Sequence, residues 1–226
     1  MNRFIKIGLL SPLLANVLLE EVDKELERRG HSFVRYADDA NVYVRSRRAG
    51  KRVMALLLKL YGRLRLKVSE VKSAVASVFQ RKFLGFSFWV AAGGKIKRRV
   101  AAKAMATFKH RVRQLSRRSS GRSLEQVVER LRSYVLGWKR YFRLAETPGV
   151  WKNLGQWMRH RMRAVQIKQW RRGTTAYREF LQRGARPEVA LMVAGNLRRL
   201  WRNSGTPLNG VLDLSWAYQL KIPRLC

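Results

Sequence analysis

Two adjacent carboxylates between two short β-prone runs constrain this chain more than any other feature of its sequence. Residues 33–36 and 41–44 are rich in Val, Tyr and Phe, and Asp38 and Asp39 lie between them. Because aromatic and β-branched residues favour strands and Asp favours turns, the stretch predicts a hairpin with both carboxylates at or beside its tip. Adjacent carboxylates repel each other, and a hard cation with oxygen ligands, Mg²⁺ or Mn²⁺, is their natural partner. The hairpin is therefore a candidate metal site, and a turn that merely carries two acids is the alternative.

The charge balance of the chain indicates a polyanionic partner. Its 226 residues include 49 Lys and Arg against 14 Asp and Glu, a formal net charge of +35. Such a chain repels itself in isolation, so nucleic acid is the expected ligand. Membrane surfaces usually attract one clustered basic segment, whereas these bases run along the whole chain. We also find no transmembrane stretch and no signal-peptide cleavage site, so we expect a cytoplasmic protein with no membrane contact.

Cysteine and histidine usage excludes several kinds of site. Cys226 is the only cysteine, and His31, His110 and His160 lie far apart in the sequence. A disulfide framework, a zinc module built on Cys pairs and an appended zinc nuclease are therefore excluded. Apolar residues make up 46% of the chain, which is enough material for a folded core.

The N-terminal part of the chain predicts an α+β fold. A helix starts at Ser11 and Pro12 and stops at Gly30, and a second helix covers residues 48–63. Strands are predicted at 64–68, 74–79, 83–90 and 95–100, with a glycine turn between the last two. This order indicates helices packed on a small antiparallel sheet.

From about residue 100 the sequence predicts basic helices. They are expected over residues 101–118, 123–144, 150–172, between Gly173 and Gly184, and over 187–201. Ser123 and Gln126 form a capping box at the start of the second of them. Residues 91–226 hold 31 of the 49 basic residues and only 6 of the 14 acidic ones. We therefore divide the chain into residues 1–100, a helical domain over 101–183 and a basic tail over 184–226.

Basic residues at high density line two of these helices. One set comprises Arg111, Arg113, Arg117, Arg118 and Arg122, and the other comprises Arg159, Arg161, Arg163, Lys168, Arg171 and Arg172. Bases with few acids to pair indicate phosphate contacts, and interleaved aromatics suit folded or single-stranded RNA. An ordinary solvated face is the alternative, and Trp138, Trp151 and Trp157 are expected mostly in the core. We expect neutralisation of Arg159, Arg163 and Lys168 to weaken RNA binding with little effect on thermal stability.

Several motifs in this order resemble one known family. Residues 33–45 resemble the Tyr-x-Asp-Asp hairpin of reverse transcriptases, in the Tyr-Ala-Asp-Asp form common in proteins encoded by group II introns. Gly8 and residues 10–16 resemble the palm helix before that hairpin, and the Phe-Leu-Gly-Phe of residues 83–86 resembles the strand that grips the primer end. Gly137, Trp138 and the following aromatics resemble the thumb or maturase-specific domain of the group. The resemblance implies an α+β fold, a partial reverse-transcriptase palm followed by an all-α basic thumb or maturase domain.

The resemblance also implies roles for individual residues. Asp38 and Asp39 would bind catalytic Mg²⁺, with Asp38 favoured as a direct ligand. Tyr36 would line the nucleotide and primer site, Lys72 would lie near the incoming triphosphate, and Phe83, Leu84, Gly85 and Phe86 would position the primer. Nucleotidyl transfer with two metals about 4 Å apart needs a third acid on a neighbouring strand. No candidate is obvious in this sequence, and Glu70 is the first acid after the hairpin.

Partners and function follow from the same resemblance. The implied partners are structured intron RNA and an RNA template with a DNA primer; a DNA target, a dimer and a separate N-terminal polypeptide are left open. Family members carry an upstream region with the fingers and another metal-binding Asp, so we expect a truncated copy that does not polymerise DNA alone. The alternatives are RNA-directed DNA synthesis, a maturase that binds intron RNA without chemistry, and an inactive fragment whose sheet exposes an edge.

Overall fold

A computed structural model describes residues 11–69, 71–119, 121–205 and 208–225, which belong to two compact units. The first unit is Met1–Phe83 and the second is Leu84–Cys226. The second unit thus begins one hairpin earlier than the domain boundary predicted after residue 100, and the functional division at that boundary stays a prediction. Four residues used in the sequence analysis lie outside the described residues: Gly8, Leu10, Glu70 and Cys226.

The first unit contains two helices and one antiparallel hairpin. Its elements are α1 (Ser11–Arg28), β1 (Ser32–Tyr36), β2 (Asp39–Tyr43) and α2 (Arg47–Arg63). Val22, Leu26 and Leu60 form its buried core, and Phe33 and Val42 of the hairpin pack against them. The predicted hairpin and both predicted helices are confirmed.

Two of the four predicted strands are wrong, those at 64–68 and 74–79. After α2 the backbone of Arg65 takes the left-handed conformation with φ of 57°, and the Leu66 N–H donates to the Tyr61 carbonyl at 2.8 Å. This is the long hydrogen bond of a Schellman cap, which closes the helix and turns the chain out of an extended conformation. Further on, Val78–Gln80 forms a single 3₁₀ turn.

The second unit is one hairpin followed by helices. Its elements are β3 (Phe86–Val90), β4 (Ile96–Val100), α3 (Ala102–Leu115), α4 (Leu124–Tyr141), α5 (Pro148–Gln169), α6 (Gly173–Gln182), α7 (Pro187–Gly195), α8 (Leu200–Asn203) and α9 (Leu214–Gln219). β3 and β4 pair antiparallel across the predicted glycine turn. The two small antiparallel sheets and the helical remainder confirm the predicted α+β class. No described helix is long and apolar enough to span a bilayer.

The helices of the second unit share one core that extends to the end of the described chain. Phe108, Met158 and Phe180 are fully buried in it, and so are Leu208 and Leu212 from the C-terminal segment. The segment after α6 is therefore part of this unit and not a loose tail.

Helix ends in this unit follow local hydrogen bonds. The predicted capping box is present, since the Ser123 hydroxyl accepts from the Gln126 N–H at 3.3 Å and the Gln126 side chain accepts from the Ser123 N–H at 3.2 Å. The helix predicted over 187–201 is instead interrupted after α7. There the Asn203 amide donates to the Asn196 carbonyl at 2.6 Å, which satisfies a carbonyl that a continuing helix would have used.

Candidate metal hairpin and nucleic-acid interface

The two carboxylates lie at the tip of the hairpin in the first unit. Tyr36 pairs with Asp39, and Ala37 and Asp38 form the two-residue turn between them. Ala37 has φ of 52°, the left-handed conformation that two-residue hairpin turns require at their first position. Asp38, Asp39 and Tyr36 are all exposed, Tyr36 to 64%. The predicted position of the acids is confirmed, and their role as ligands stays a prediction.

Arg35 anchors this tip to α1, and sequence reasoning missed it. Its Nε and Nη2 donate to the Asp23 carboxylate at 2.6–3.0 Å, and its Nη1 donates to Asn16 Oδ1 at 2.9 Å and to the Ala37 carbonyl at 3.1 Å. The hydrogen bonds that Arg35 donates to Asp23 raise the pKa of Arg35 above its ordinary value, so the guanidinium stays charged. Strand alternation could have found this residue, because Arg35 shares with Phe33 the face that packs against the helices.

The fit of a divalent cation to this tip can be judged from its donors. Asp38 and Asp39 offer the hard oxygen atoms that Mg²⁺ and Mn²⁺ prefer. Within residues 11–69, 71–119, 121–205 and 208–225, no group of three or more His, Cys, Asp or Glu side chains is placed to hold a metal ion. The described residues therefore fit a metal in the kind of donor, but they do not supply the ligand number of a two-metal site.

The other residues of the predicted nucleotide and primer site fall in both units. Lys72 is exposed in the loop after α2, where its carbonyl accepts from Arg81 Nη2 at 2.6 Å. Phe83 ends the first unit, whereas Leu84, Gly85 and Phe86 open the second. The structure brings Tyr36 beside Asp39 across the hairpin, and the roles of Lys72 and Phe83 stay predictions.

Leu84 and Gly85 form a tightly held turn before β3. Both have positive φ, 49° and 77°, which is unusual for a leucine. The Ala101 N–H donates to the Gly85 carbonyl at 2.8 Å, and the Tyr141 hydroxyl donates to the Leu84 carbonyl at 3.1 Å. Phe86 then packs on Phe142 with ring centroids 5.1 Å apart. A backbone conformation that the surrounding contacts impose is typical of functional turns, and the primer-positioning role of this turn stays a prediction.

The structure contradicts the expected phosphate contact for Arg163. This side chain on α5 is only 7% exposed, its Nε donates to the Leu212 carbonyl at 2.6 Å, and its Nη1 donates to Asn209 Oδ1. Burial lowers the pKa of Arg163. Its guanidinium already donates to the buried Leu212 carbonyl and to the Asn209 side chain of the C-terminal segment, so Arg163 is not one of the RNA contacts.

Arg161 is also held by the protein itself. Its Nε donates to the Ser116 hydroxyl at 3.0 Å, and its guanidinium lies 5.6 Å from the centre of the Trp157 ring, as does that of Arg113. Burial, followed by repulsion from Arg118 and Arg113, lowers the pKa of Arg161 to about 10. The positive charges at this end of α3 and α5 are therefore close enough to oppose one another.

The remaining predicted RNA contacts face solvent. Exposed side chains include Arg111, Arg113, Arg117, Arg118, Arg122, Lys168, Arg171 and Arg172, and Arg159 is half-buried. In the described part of the second unit, the ion pairs join Arg98 to Glu146 at 3.2 Å and Arg183 to Glu179 at 2.5 Å, so they involve none of these residues. The structure thus presents a set of cations without carboxylate partners among the described residues.

Two protein-family models match this chain, one in its N-terminal part and one in its helical part. The family model described as reverse transcriptase (RNA-dependent DNA polymerase) matches residues 6–88, which contain the hairpin. The family model described as group II intron, maturase-specific domain matches residues 105–184, which contain α4, α5 and α6. A search of curated proteins found no match. Reverse transcriptases generally use a divalent metal, in agreement with the carboxylates at the hairpin tip. With both domains in the order that the sequence motifs indicate, the chain belongs to the reverse transcriptase and maturase proteins of group II introns.

Proposed function

We propose that this chain acts as a maturase that binds structured group II intron RNA along the basic helices of its second unit. The observation that carries the proposal is the set of exposed cations on and beside α3 and α5 that have no carboxylate partner among the described residues. Cations left without acids in a folded protein repel one another, and RNA phosphates neutralise them with release of counterions. Arg111, Arg113, Arg117, Arg118, Arg122, Arg159, Lys168, Arg171 and Arg172 are the proposed contacts.

RNA-directed DNA synthesis on an RNA template with a DNA primer is the second candidate. The exposed acids at the hairpin tip favour it, and Asp38 and Asp39 are the residues that would hold Mg²⁺. A bound Mg²⁺ would neutralise phosphate charge there. Arg35 would keep the tip in place through Asp23, with Lys72 and the Leu84–Phe86 stretch as proposed contacts for triphosphate and primer.

We propose a separate role for each of the predicted domains. Residues 1–100 would contribute the palm, residues 101–183 the thumb and maturase surface, and residues 184–226 a basic C-terminal region, with a cytoplasmic location. A DNA target and a dimer remain further proposals for partners.

Salt-dependent RNA binding tests the maturase proposal. A group II intron transcript is titrated with the chain at several KCl concentrations, and the slope of log affinity against log salt is measured. Arg111→Gln with Arg117→Gln should reduce that slope by about 0.7–0.9 for each phosphate contact removed. Arg28→Gln with Arg29→Gln is the matched control, because both arginines are exposed but already pair with Glu25, at 2.7 and 2.6 Å. A wild-type slope near zero, or equal effects of the test and control variants, would overturn the proposal.

Primer extension tests the second candidate separately. The purified chain is incubated with an RNA template, a DNA primer, deoxynucleotides and Mg²⁺. Incorporation that Asp38→Asn abolishes would establish the enzymatic role, whereas RNA binding without incorporation would leave the maturase role as the activity of this chain.

A further inference from the structure

A cavity of about 820 Å³ in the second unit gathers cations from three separate segments. Its walls come from the α3–α4 loop, the end of α5 and the α7–α8 loop. The cations that line it are Arg118, Arg122, Lys168, Arg171 and Arg198, and the described residues of its lining include no Asp or Glu. Five positive charges around one cavity are unfavourable unless a polyanion enters it.

The walls of this cavity are fixed by hydrogen bonds. The Gln169 side chain donates to the Arg122 carbonyl at 2.9 Å, which ties the end of α5 to the α3–α4 loop. The capping box of Ser123 and Gln126 fixes the other end of that loop. A site whose walls are set before binding loses less conformational freedom when its ligand arrives.

The lining indicates which part of a nucleic acid would enter. Apart from the cations, the described lining consists of Ser, Gly, Gln, Leu and Ile residues, and it presents no aromatic ring on which a base could stack. Arginine guanidinium groups match phosphate oxygens with paired hydrogen bonds. The volume lies in the range of about 300–1,000 Å³ that encloses small ligands, so more than one phosphate can be accommodated.

We propose that this cavity binds the phosphodiester backbone of the RNA at neighbouring phosphates, and that Arg198 is one of its contacts. Arg198 lies outside both matched segments, residues 6–88 and 105–184, so the C-terminal region takes part in RNA binding through this residue. The inference rests on the proposed maturase function and assigns it a defined site.

Two neighbouring arginines make a matched test. Arg198 lines the cavity whereas the adjacent Arg199, also exposed, does not, so Arg198→Gln and Arg199→Gln remove the same charge from the same short loop. We expect Arg198→Gln to weaken binding of a group II intron transcript roughly tenfold, as the loss of one charge-assisted hydrogen-bonding group does. The salt slope should fall by about 0.7–0.9, and Arg199→Gln should change both quantities much less. Polyuridylate should show the same weakening, because a backbone contact is independent of sequence.

Different results separate the site from the broader function. If the wild-type chain binds RNA with a steep salt slope but the two variants behave alike, the cavity is not the site and the maturase proposal stands. Weakening for only one of the two RNAs would also overturn a backbone contact. If the wild-type chain shows no salt-dependent binding, both proposals fall. A melting temperature measured for each variant controls for folding, and Arg118→Gln combined with Arg198→Gln should weaken binding less than the sum of the single changes if both touch the same RNA segment.

Discussion

Replacing Arg163 should lower the stability of the second unit. The sequence alone predicts the opposite, a change with little effect on thermal stability. Arg163 is 7% exposed, and its guanidinium donates to the Leu212 carbonyl and to Asn209 Oδ1. Arg163→Ala removes both donors and leaves the buried Leu212 carbonyl without this partner. A hydrogen bond from a charged donor contributes about 1.5–3 kcal/mol, and the buried residue also loses packing.

The desolvation cost of the buried guanidinium partly offsets this loss of stability. Burial lowers the pKa of Arg163, so the charged side chain carries a desolvation cost that the alanine variant no longer has. We therefore expect a net decrease of about 2–4 kcal/mol in the free energy of unfolding. For a unit of this size that corresponds to a melting temperature lower by about 4–16 °C.

Thermal melts followed by circular dichroism measure this effect, with RNA binding measured well below the lower melting temperature. Lys168→Ala is the control, because Lys168 lies on the same helix, is exposed and should shift the melting temperature very little. The melting temperature of Arg163→Lys should lie between those of Arg163→Ala and Lys168→Ala, since lysine retains the charge but not the planar guanidinium with its several donors. An Arg163→Ala variant that melts with the wild type and binds RNA more weakly would refute the assignment of Arg163 to the core.

Two further predictions concern the turn before β3 and the pH dependence of folding. Gly85→Ala should destabilise the second unit by about 1–3 kcal/mol in chemical denaturation, because Gly85 has φ of 77° and a Cβ there would lie 3.0 Å from Cζ of Phe142. Gly93→Ala has nearly the same φ, 76°, with no atom within 4 Å, so it should cost less, and an equal cost would show that the Phe142 contact is unimportant. Hydrogen bonds from Arg28 and then Arg29 lower the pKa of Glu25 from 4.5 to about 2. Because the folded-state pKa is the lower one, this pairing stabilises α1 above about pH 4.5 and its contribution is lost as the pH falls towards about 2. Glu25→Gln should flatten that part of an acid-unfolding curve, and an unchanged curve would contradict the linkage.

Local patterns in the sequence predicted those features that local interactions determine. The hairpin at Asp38 and Asp39 follows from β-prone runs around a turn, and α4 begins where Ser123 and Gln126 predict it. Both depend on residues within a few positions of one another. The strand predicted at 64–68 fails for a related reason, because the Schellman cap at Arg65 uses carbonyls of the preceding helix and outweighs the β propensity of the residues after it.

Contacts between distant segments could not be predicted in this way. Arg163 lies among basic residues on α5 and resembles them in sequence, but its acceptor is the carbonyl of Leu212, 49 positions away. No helical periodicity identifies it as buried, since α5 buries residues on several of its faces. The anchoring of the hairpin tip by Arg35 likewise depends on Asp23, which lies 12 positions earlier on α1. In both cases an ordinary arginine is given its role by an oxygen that only the folded chain brings near.

The Leu212 contact also changes how the C-terminal region should be understood. Leu208 and Leu212 are fully buried in the same core as α3 to α6, and the Leu212 carbonyl satisfies the guanidinium of Arg163. Removing the residues after α6 would therefore expose apolar core and leave a buried charge without these acceptors, and both changes are strongly destabilising. A deletion that abolishes RNA or DNA binding would report unfolding of the unit rather than loss of a contact. Single changes at exposed positions, such as Arg198 against Arg199, keep Leu208 and Leu212 in place and so separate the binding role of this region from its structural one.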